Sequence, residues 1–402
     1  MSPPPPSSAE PASPAAGVSP DVETSLTRLA DAVVVALGRS PLALILGGSH
    51  AVSEAVWVTH EGRRVSLSDL DLWAVLPDER ERRVAAVRLE TAGPVLSRQA
   101  RVAGFLAPIE VTLLTPATLE ALPARPATLE LAARGKVLVG GDSWLMRVPR
   151  HEAADVPREE ILLLLENRGF ELLWAWSAAT TGAPLDGWRA RHAVLKTALD
   201  LAAVLALTQR ELPIGAASRV AWARERLVRD PALAPLAGVG LEALWDAAMA
   251  WRSGEPATNA TGWTDEWRRA VSAWVAVWRH VGDAGLRDPV ALAMTMAARA
   301  SWPRRLRRSI AFRPRLDPPG FAARLAAAPR GTPQHRLGAA AAVMLAAAAE
   351  TGPEPALGDT AARALRRLAV TPVCAGWGPT AVALTRRWDA WVLDGRRGAG
   401  LA

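Results

Sequence analysis

Three short apolar runs, each closed by turn residues, fall in the first 115 positions, and no convincing strand-like alternation follows residue 155. The first, residues 42–46, breaks at Gly47-Gly48-Ser49. The second spans 65–76 and stops at Pro77-Asp78, and the third spans 109–114, ahead of Thr115-Pro116. Apolar runs this short, bounded by glycine and proline, are strand signals. Segments with helical spacing lie between them. Leu26, Leu29, Val33 and Leu37 mark a helix that Gly38 stops, a charged helix is expected over 79–92 before Gly93-Pro94, and another starts at Thr115-Pro116. A last short strand is expected at 137–139. From Asp155 onward the pattern is helical throughout. Strands early and helices late define an α+β chain: an N-terminal mixed sheet with helices on one side, then an all-helical region.

The second and third runs carry charge where a strand interior disfavours it. Asp69 and Asp71 interrupt the second run, and Glu110 is the one acid of the third. Side chains alternate along a strand, so Asp69 and Asp71 are expected on the same side. Two neighbouring carboxylates repel unless a cation lies between them. Magnesium takes oxygen ligands and commonly shares them with substrate phosphates. A third carboxylate from an adjacent strand would complete a clamp for two ions around an in-line displacement at phosphorus. The Gly47-Gly48-Ser49 turn lets backbone approach an anion closely, and a helix starting there would aim free N–H groups at a phosphate. The residues alone therefore support metal-assisted phosphoryl chemistry. For Glu110 the competing reading is an edge or surface acid. For Ser49 it is a helix cap. For Lys196 it is an i,i+4 pair with Asp200.

The order of these elements resembles the nucleotidyltransferase superfamily related to DNA polymerase β, and within it the bacterial stand-alone enzymes of the aminoglycoside and minimal nucleotidyltransferase type. Gly47-Gly48-Ser49 matches the family turn, Asp69 and Asp71 the metal pair, and Glu110 the third acid. Glu54 stands where a Gly-Glu pair often follows, residues 134–142 resemble the strand and turn that close the domain, and residues 196–200 resemble a start common in the following helical domain. Two features depart from the pattern. Val52-Ser53 stands where many members have Arg-Gly. The interval from Ser49 to Asp69 is 20 residues (69 − 49), which calls for an inserted hairpin or extended loop around residues 60–63. The resemblance covers roughly residues 25 to 210. It implies transfer of a nucleoside monophosphate, AMP from ATP by preference, to a hydroxyl of a small-molecule or protein acceptor. Asp69, Asp71 and Glu110 would hold two Mg2+, Gly47, Gly48 and Ser49 would cradle the nucleotide phosphates, and Lys196 would reach the triphosphate. The alternative is a nucleotide-binding or interaction protein on the same fold that has lost turnover.

At 402 residues the chain is long enough for two or three domains. The expected divisions are a Pro/Ser/Ala-rich tail (1–20), a nucleotidyltransferase-like domain (21–150), a helical domain (151–300), a basic connector (301–319) and an Ala-rich helical region (320–402). The net charge of +7 invites an anionic partner. Only two lysines, Lys136 and Lys196, contribute to it, so the basic charge is an arginine bias spread over the whole chain. Its densest point is six arginines in twelve residues, Arg304 to Arg315, a nucleic-acid grip or a solvated linker. Trp267, Val271, Trp274 and Trp278 share one helical face, and core packing is preferred over a base-stacking platform. The single cysteine, Cys374, excludes an internal disulfide framework and a cysteine metal cluster. The N-terminal segment lacks the basic and apolar parts of a secretory signal, and no apolar run approaches a membrane span, so a cytoplasmic protein without membrane contact is expected.

Overall fold

The computed structural model describes residues 20–60, 62–107, 109–179, 184–254, 263–282, 288–311, 328–352, 357–368, 373–374 and 376–398. The expected tail up to residue 19 lies outside them, as do Glu61, Pro108, Arg313 and Arg315. The fold is α+β, with a small mixed sheet in the N-terminal half and helices after it.

The sheet contains β1 (Ala43–Leu46), β4 (Leu70–Val75), β5 (Ile109–Leu114) and β6 (Lys136–Val139), in the order β5-β4-β1-β6. β4 and β5 run parallel, whereas β1 is antiparallel to both β4 and β6. A separate hairpin, β2 (Trp57–His60) and β3 (Arg63–Ser66), fills the long interval between the glycine turn and β4. This is the hairpin expected around residues 60–63. It also divides the expected 65–76 strand in two. The chain bends at 67–69, where the Ser68 hydroxyl accepts from the Val56 N–H at 2.9 Å, and it joins the main sheet only at Leu70. Asp69 therefore precedes β4, and strand alternation does not govern its direction.

Helices cover both faces of the sheet, where helices on one side were expected. α1 (Pro20–Leu37) and α3 (Glu79–Val102) pack on Leu44, Leu46, Leu70, Leu72 and Leu113. On the opposite face, α4 (Pro116–Glu120) and α5 (Pro126–Arg134) bring Leu119 and Leu131 against Ala43, Ile45, Val75 and Leu114. α3 runs through Gly93-Pro94, where a stop was expected. Proline removes one backbone donor, but Ala85, Leu96 and Ala100 stay buried on either side of it, and that burial sustains the helix.

The helical region begins with α6 (Arg158–Ala179) and α7 (Pro184–Thr208), packed along one another. α8 (Ala216–Arg229), α9 (Leu241–Arg252), α10 (Trp263–Gly282) and α11 (Pro289–Ala297) follow. The expected basic connector begins as a helix, α12 (Trp302–Ala311). α13 (Pro333–Thr351), α14 (Asp359–Leu368) and α15 (Trp377–Gly398) complete the chain. α13 is threaded through the core, and its alanines let α6, α10 and α11 approach it closely. No described helix is long and apolar enough to cross a membrane.

The tryptophan face of α10 is core. Trp267 and Trp274 are buried, and their indole N–H groups donate to the carbonyls of Leu172 and Leu165 at 2.8 and 2.9 Å. Both acceptors lie on α6. Gly169, a weak spot for that helix on propensity, makes the contact possible, since a Cβ there would stand 2.9 Å from Trp274 Cζ2. In an exposed helix Gly→Ala stabilises by about 1 kcal/mol. Here the ring is held by its hydrogen bond and cannot retreat, and overpacking costs about 1–3 kcal/mol. Gly169→Ala is therefore expected to destabilise the protein by about 1 kcal/mol in urea unfolding, against the sign that helix propensity gives.

Candidate functional site

The parallel β4–β5 ladder pairs Asp71 directly with Glu110. Residues opposite one another in a ladder share a face, so the two carboxylates look out from the same side of the sheet, together with Trp73 and Thr112. That face is the one α5 covers in part, and between them lies a pocket of about 220 Å3 lined by Gly47, Gly48, Asp71, Trp73, Glu110, Thr112 and Glu130.

The glycine turn closes one wall. Gly47 N–H donates to the Asp71 carbonyl at 2.8 Å, and Gly48 has a left-handed φ of +61°. A Cβ on Gly48 would collide with Asp71 Oδ2. Glycine is thus required twice, for the backbone angle and for the carboxylate pressed against it. Behind the turn, α2 (Gly48–Ala51) is a single helical turn that holds Ser49 and the buried His50. Burial pushes the His50 pKa down to about 4, so the ring is neutral. Its Nε2 lies 3.3 Å from the Ser68 carbonyl and 3.1 Å from Ser66 Oγ, which ties the turn to the bend that delivers Asp69.

Asp69 faces the helical region. Lys196 Nζ, from α7, donates to Asp69 Oδ2 at 2.7 Å. Burial acts to raise the Asp69 pKa, but the Lys196 ammonium beside it and Arg168 beyond hold it at about 2. The Asp69 side chain keeps 39% of its surface exposed, so water screens part of that attraction. Lys196 does not pair with Asp200, as the i,i+4 spacing allowed. Asp200 instead lies 3.1 Å from Arg168 Nε on α6, and Glu171 stands 4.0 Å from Lys196. Glu54 is also drawn away from the pocket. Its carboxylate accepts from the Ala216 N–H at the start of α8 and from Arg252 at 2.6 Å, so it clasps the sheet to the helices.

Sequence reasoning passed over Glu130, which lines the pocket and pairs with Arg219 of α8. It also passed over Arg168 and His192, which neighbour Lys196. One signal was legible. His192, Lys196 and Asp200 recur every fourth residue, and apart from them residues 193–207 are all buried Ala, Leu and Val with one Thr, so a polar stripe there marks a polar interface. Nothing local distinguishes Glu130 from a surface acid.

Thus Asp71, Glu110, Gly47 and Gly48 come together at one pocket. Asp69 does not line it; it is engaged to Lys196 and lies close enough to Asp71 to raise the Asp71 pKa, and Ser49 sits behind the turn. Among the described residues, no three His, Cys, Asp or Glu side chains are gathered closely enough to hold a metal ion. No family model matches the chain, and a search of curated proteins finds no match.

Burial, with Glu110 and Asp69 nearby, raises the Asp71 pKa to about 6, while Lys196 opposes the shift. A carboxylate raised in the folded state is most compatible with folding when protonated. Stability therefore falls as pH rises from about 4, the unfolded value, and the full penalty is present above about 6. With divalent cations chelated, Asp71→Asn is expected to stabilise the protein by about 1–2 kcal/mol at pH 7.5 and to change little near pH 4. Urea unfolding across that range measures both.

Proposed function

We propose that the chain is a metal-dependent nucleotidyltransferase with a nucleotidyltransferase-like N-terminal domain, moving a nucleoside monophosphate from an NTP, ATP by preference, to an acceptor hydroxyl. The observation that carries this reading is Asp71 held level with Glu110 on parallel strands, in a pocket whose wall is the Gly47-Gly48 turn. Two acids forced together, one with a raised pKa, are a donor set of hard oxygens suited to Mg2+. Asp71 and Glu110 would hold the ion, and Asp69 would join them on parting from Lys196. A bound divalent ion would neutralise the triphosphate and stabilise charge on the attacking and leaving oxygens.

The chain's own groups do the rest. Glu110 takes the proton of the acceptor hydroxyl as its oxygen attacks the α-phosphorus. The new P–O bond forms as the bond to the bridging oxygen breaks, and pyrophosphate leaves. The bare Gly48 backbone leaves room for the triphosphate beside Asp71. Lys196, released from Asp69, supplies a point charge to the phosphates. α5 and Trp73 wall the pocket and limit its water.

A second reading, a nucleotide-binding or interaction protein without turnover, is favoured by the Lys196–Asp69 ion pair, which gives Asp69 a cationic partner within the chain. Pyrophosphate release from NTPs decides between them. The transferase is expected to release pyrophosphate only with Mg2+ or Mn2+, and Asp71→Asn or Glu110→Gln should lower the rate at least about a hundredfold. Tight ATP binding with no release across a broad acceptor panel would establish the second reading instead.

A further inference from the structure

A second cavity, of about 710 Å3, opens among the helices and shares no residue with the pocket at Asp71. It lies where the first turn of α6 meets the end of α10 and the body of α11. Local sequence shapes it. α10 ends at Gly282, where a Cβ would stand 2.9 Å from Leu292 Cδ1, so the bare backbone lets α11 pack close against that end. α11 starts on an Asp288 cap with Pro289 at its first position. The Asp288 carboxylate accepts from the N–H groups of Val290 and Ala291 at 3.0 and 3.3 Å. Leu292 and Met296, one turn apart on α11, are buried there, and with Leu162 of α6 they give the cavity an apolar wall.

The polar part of the lining is small and uneven in charge. Arg158 Nη2 donates to the carbonyls of Val281, at 2.7 Å, and Gly282. These belong to the last turn of α10, whose carbonyls have no partner within the helix. Backbone thus holds the guanidinium in place. Its Nε and Nη1 donors meet no acceptor, and its charge meets no acid, among the described residues. Glu159 stands beside it in the first turn of α6, where the positive end of the helix answers a carboxylate. The other cation of the lining, Arg299, is neutralised by the buried Glu166 at 2.7 Å. Arg158 is therefore the cation left to meet an incoming group.

We infer that this cavity binds a small amphipathic carboxylate, one anionic head on an aliphatic chain, with the head on Arg158 and the chain along Leu162, Leu292, Met294 and Met296. Its size falls within the range of small-molecule sites, about 300–1,000 Å3, which pair apolar walls with a few polar groups that fix orientation. A guanidinium already held by backbone gives up little side-chain freedom when it grips a carboxylate. Methionine is unbranched and adaptable, so Met294 and Met296 suit a flexible chain. A neutral chain would leave Arg158 unanswered, and a cationic head would meet a like charge. A nucleotide fits less well, because its sugar and base edges would be buried against apolar wall without partners. The inference is independent of the transferase reading, because it uses none of the residues of the pocket at Asp71.

The test is calorimetric titration of the full chain with octanoate, octanol and octylammonium, each kept below micelle formation. Octanoate is expected to bind saturably at a single site, and the neutral and cationic chains at least about tenfold more weakly, the factor that a charged hydrogen bond supplies. This comparison needs no substitution. Arg158→Gln should lower octanoate affinity about tenfold and leave that for octanol unchanged, a split that a merely structural role for Arg158 would not produce. Ala298→Trp places a large ring at an exposed position of the lining, and should weaken octanoate and octanol alike by at least about tenfold. Circular dichroism checks that each variant is folded. Absence of saturable octanoate binding overturns the inference. So does octanol binding as tightly as octanoate, or octanoate affinity unchanged in either folded variant.

Discussion

A repulsion built into the sheet organises the N-terminal half of this protein. The parallel register of β4 and β5 leaves Asp71 and Glu110 no choice but to stand side by side on one face. Asp69, one residue before the ladder, adds a third negative charge nearby. Such a cluster is tolerated only when something positive answers it, and in this fold the answer comes from across the chain. Lys196 on α7 reaches Asp69, Arg219 on α8 reaches Glu130, and Arg252 on α9 reaches Glu54.

These contacts make the sheet and the helices one electrostatic unit. The acids belong to the sheet-bearing half, before residue 135, and the cations to helices after residue 190. Each pair is partly shielded from water, so loss of one partner would strand the other. Glu54 shows how far this goes. A residue that resembles part of a catalytic turn accepts the first N–H of α8 and pairs with Arg252. Val52-Ser53, the departure just before it, contains a residue with positive φ, Ser53, that turns the carboxylate toward the helices and away from the pocket.

Lys196 links the two functional readings. While it is bound to Asp69, the acid pair at the pocket is Asp71 with Glu110, and Asp69 is neutralised from within. An external cation would compete with an ammonium already in place. On the proposed reading, turnover and silent nucleotide binding would be outcomes of one competition, set by how firmly α7 holds Lys196 against the sheet.

Much of this was legible in the amino-acid order, because strands and helices announce themselves through local periodicity. The bounds of α8 and α9, the inserted hairpin, the glycine turn and the acids at the second and third apolar runs all follow from spacing over a few residues. Local rules failed where packing overrode them. α3 continues through Gly93-Pro94 because its inner face is buried, and a basic stretch that reads as a linker begins as a helix against α13. Periodicity carries no information about partners more than a turn or two away. That Lys196 meets Asp69 and not Asp200, that Glu130 enters the pocket and that Glu54 leaves it were decided by tertiary structure alone. Each depends on which helix face the core draws inward, and so on burial summed over the whole chain.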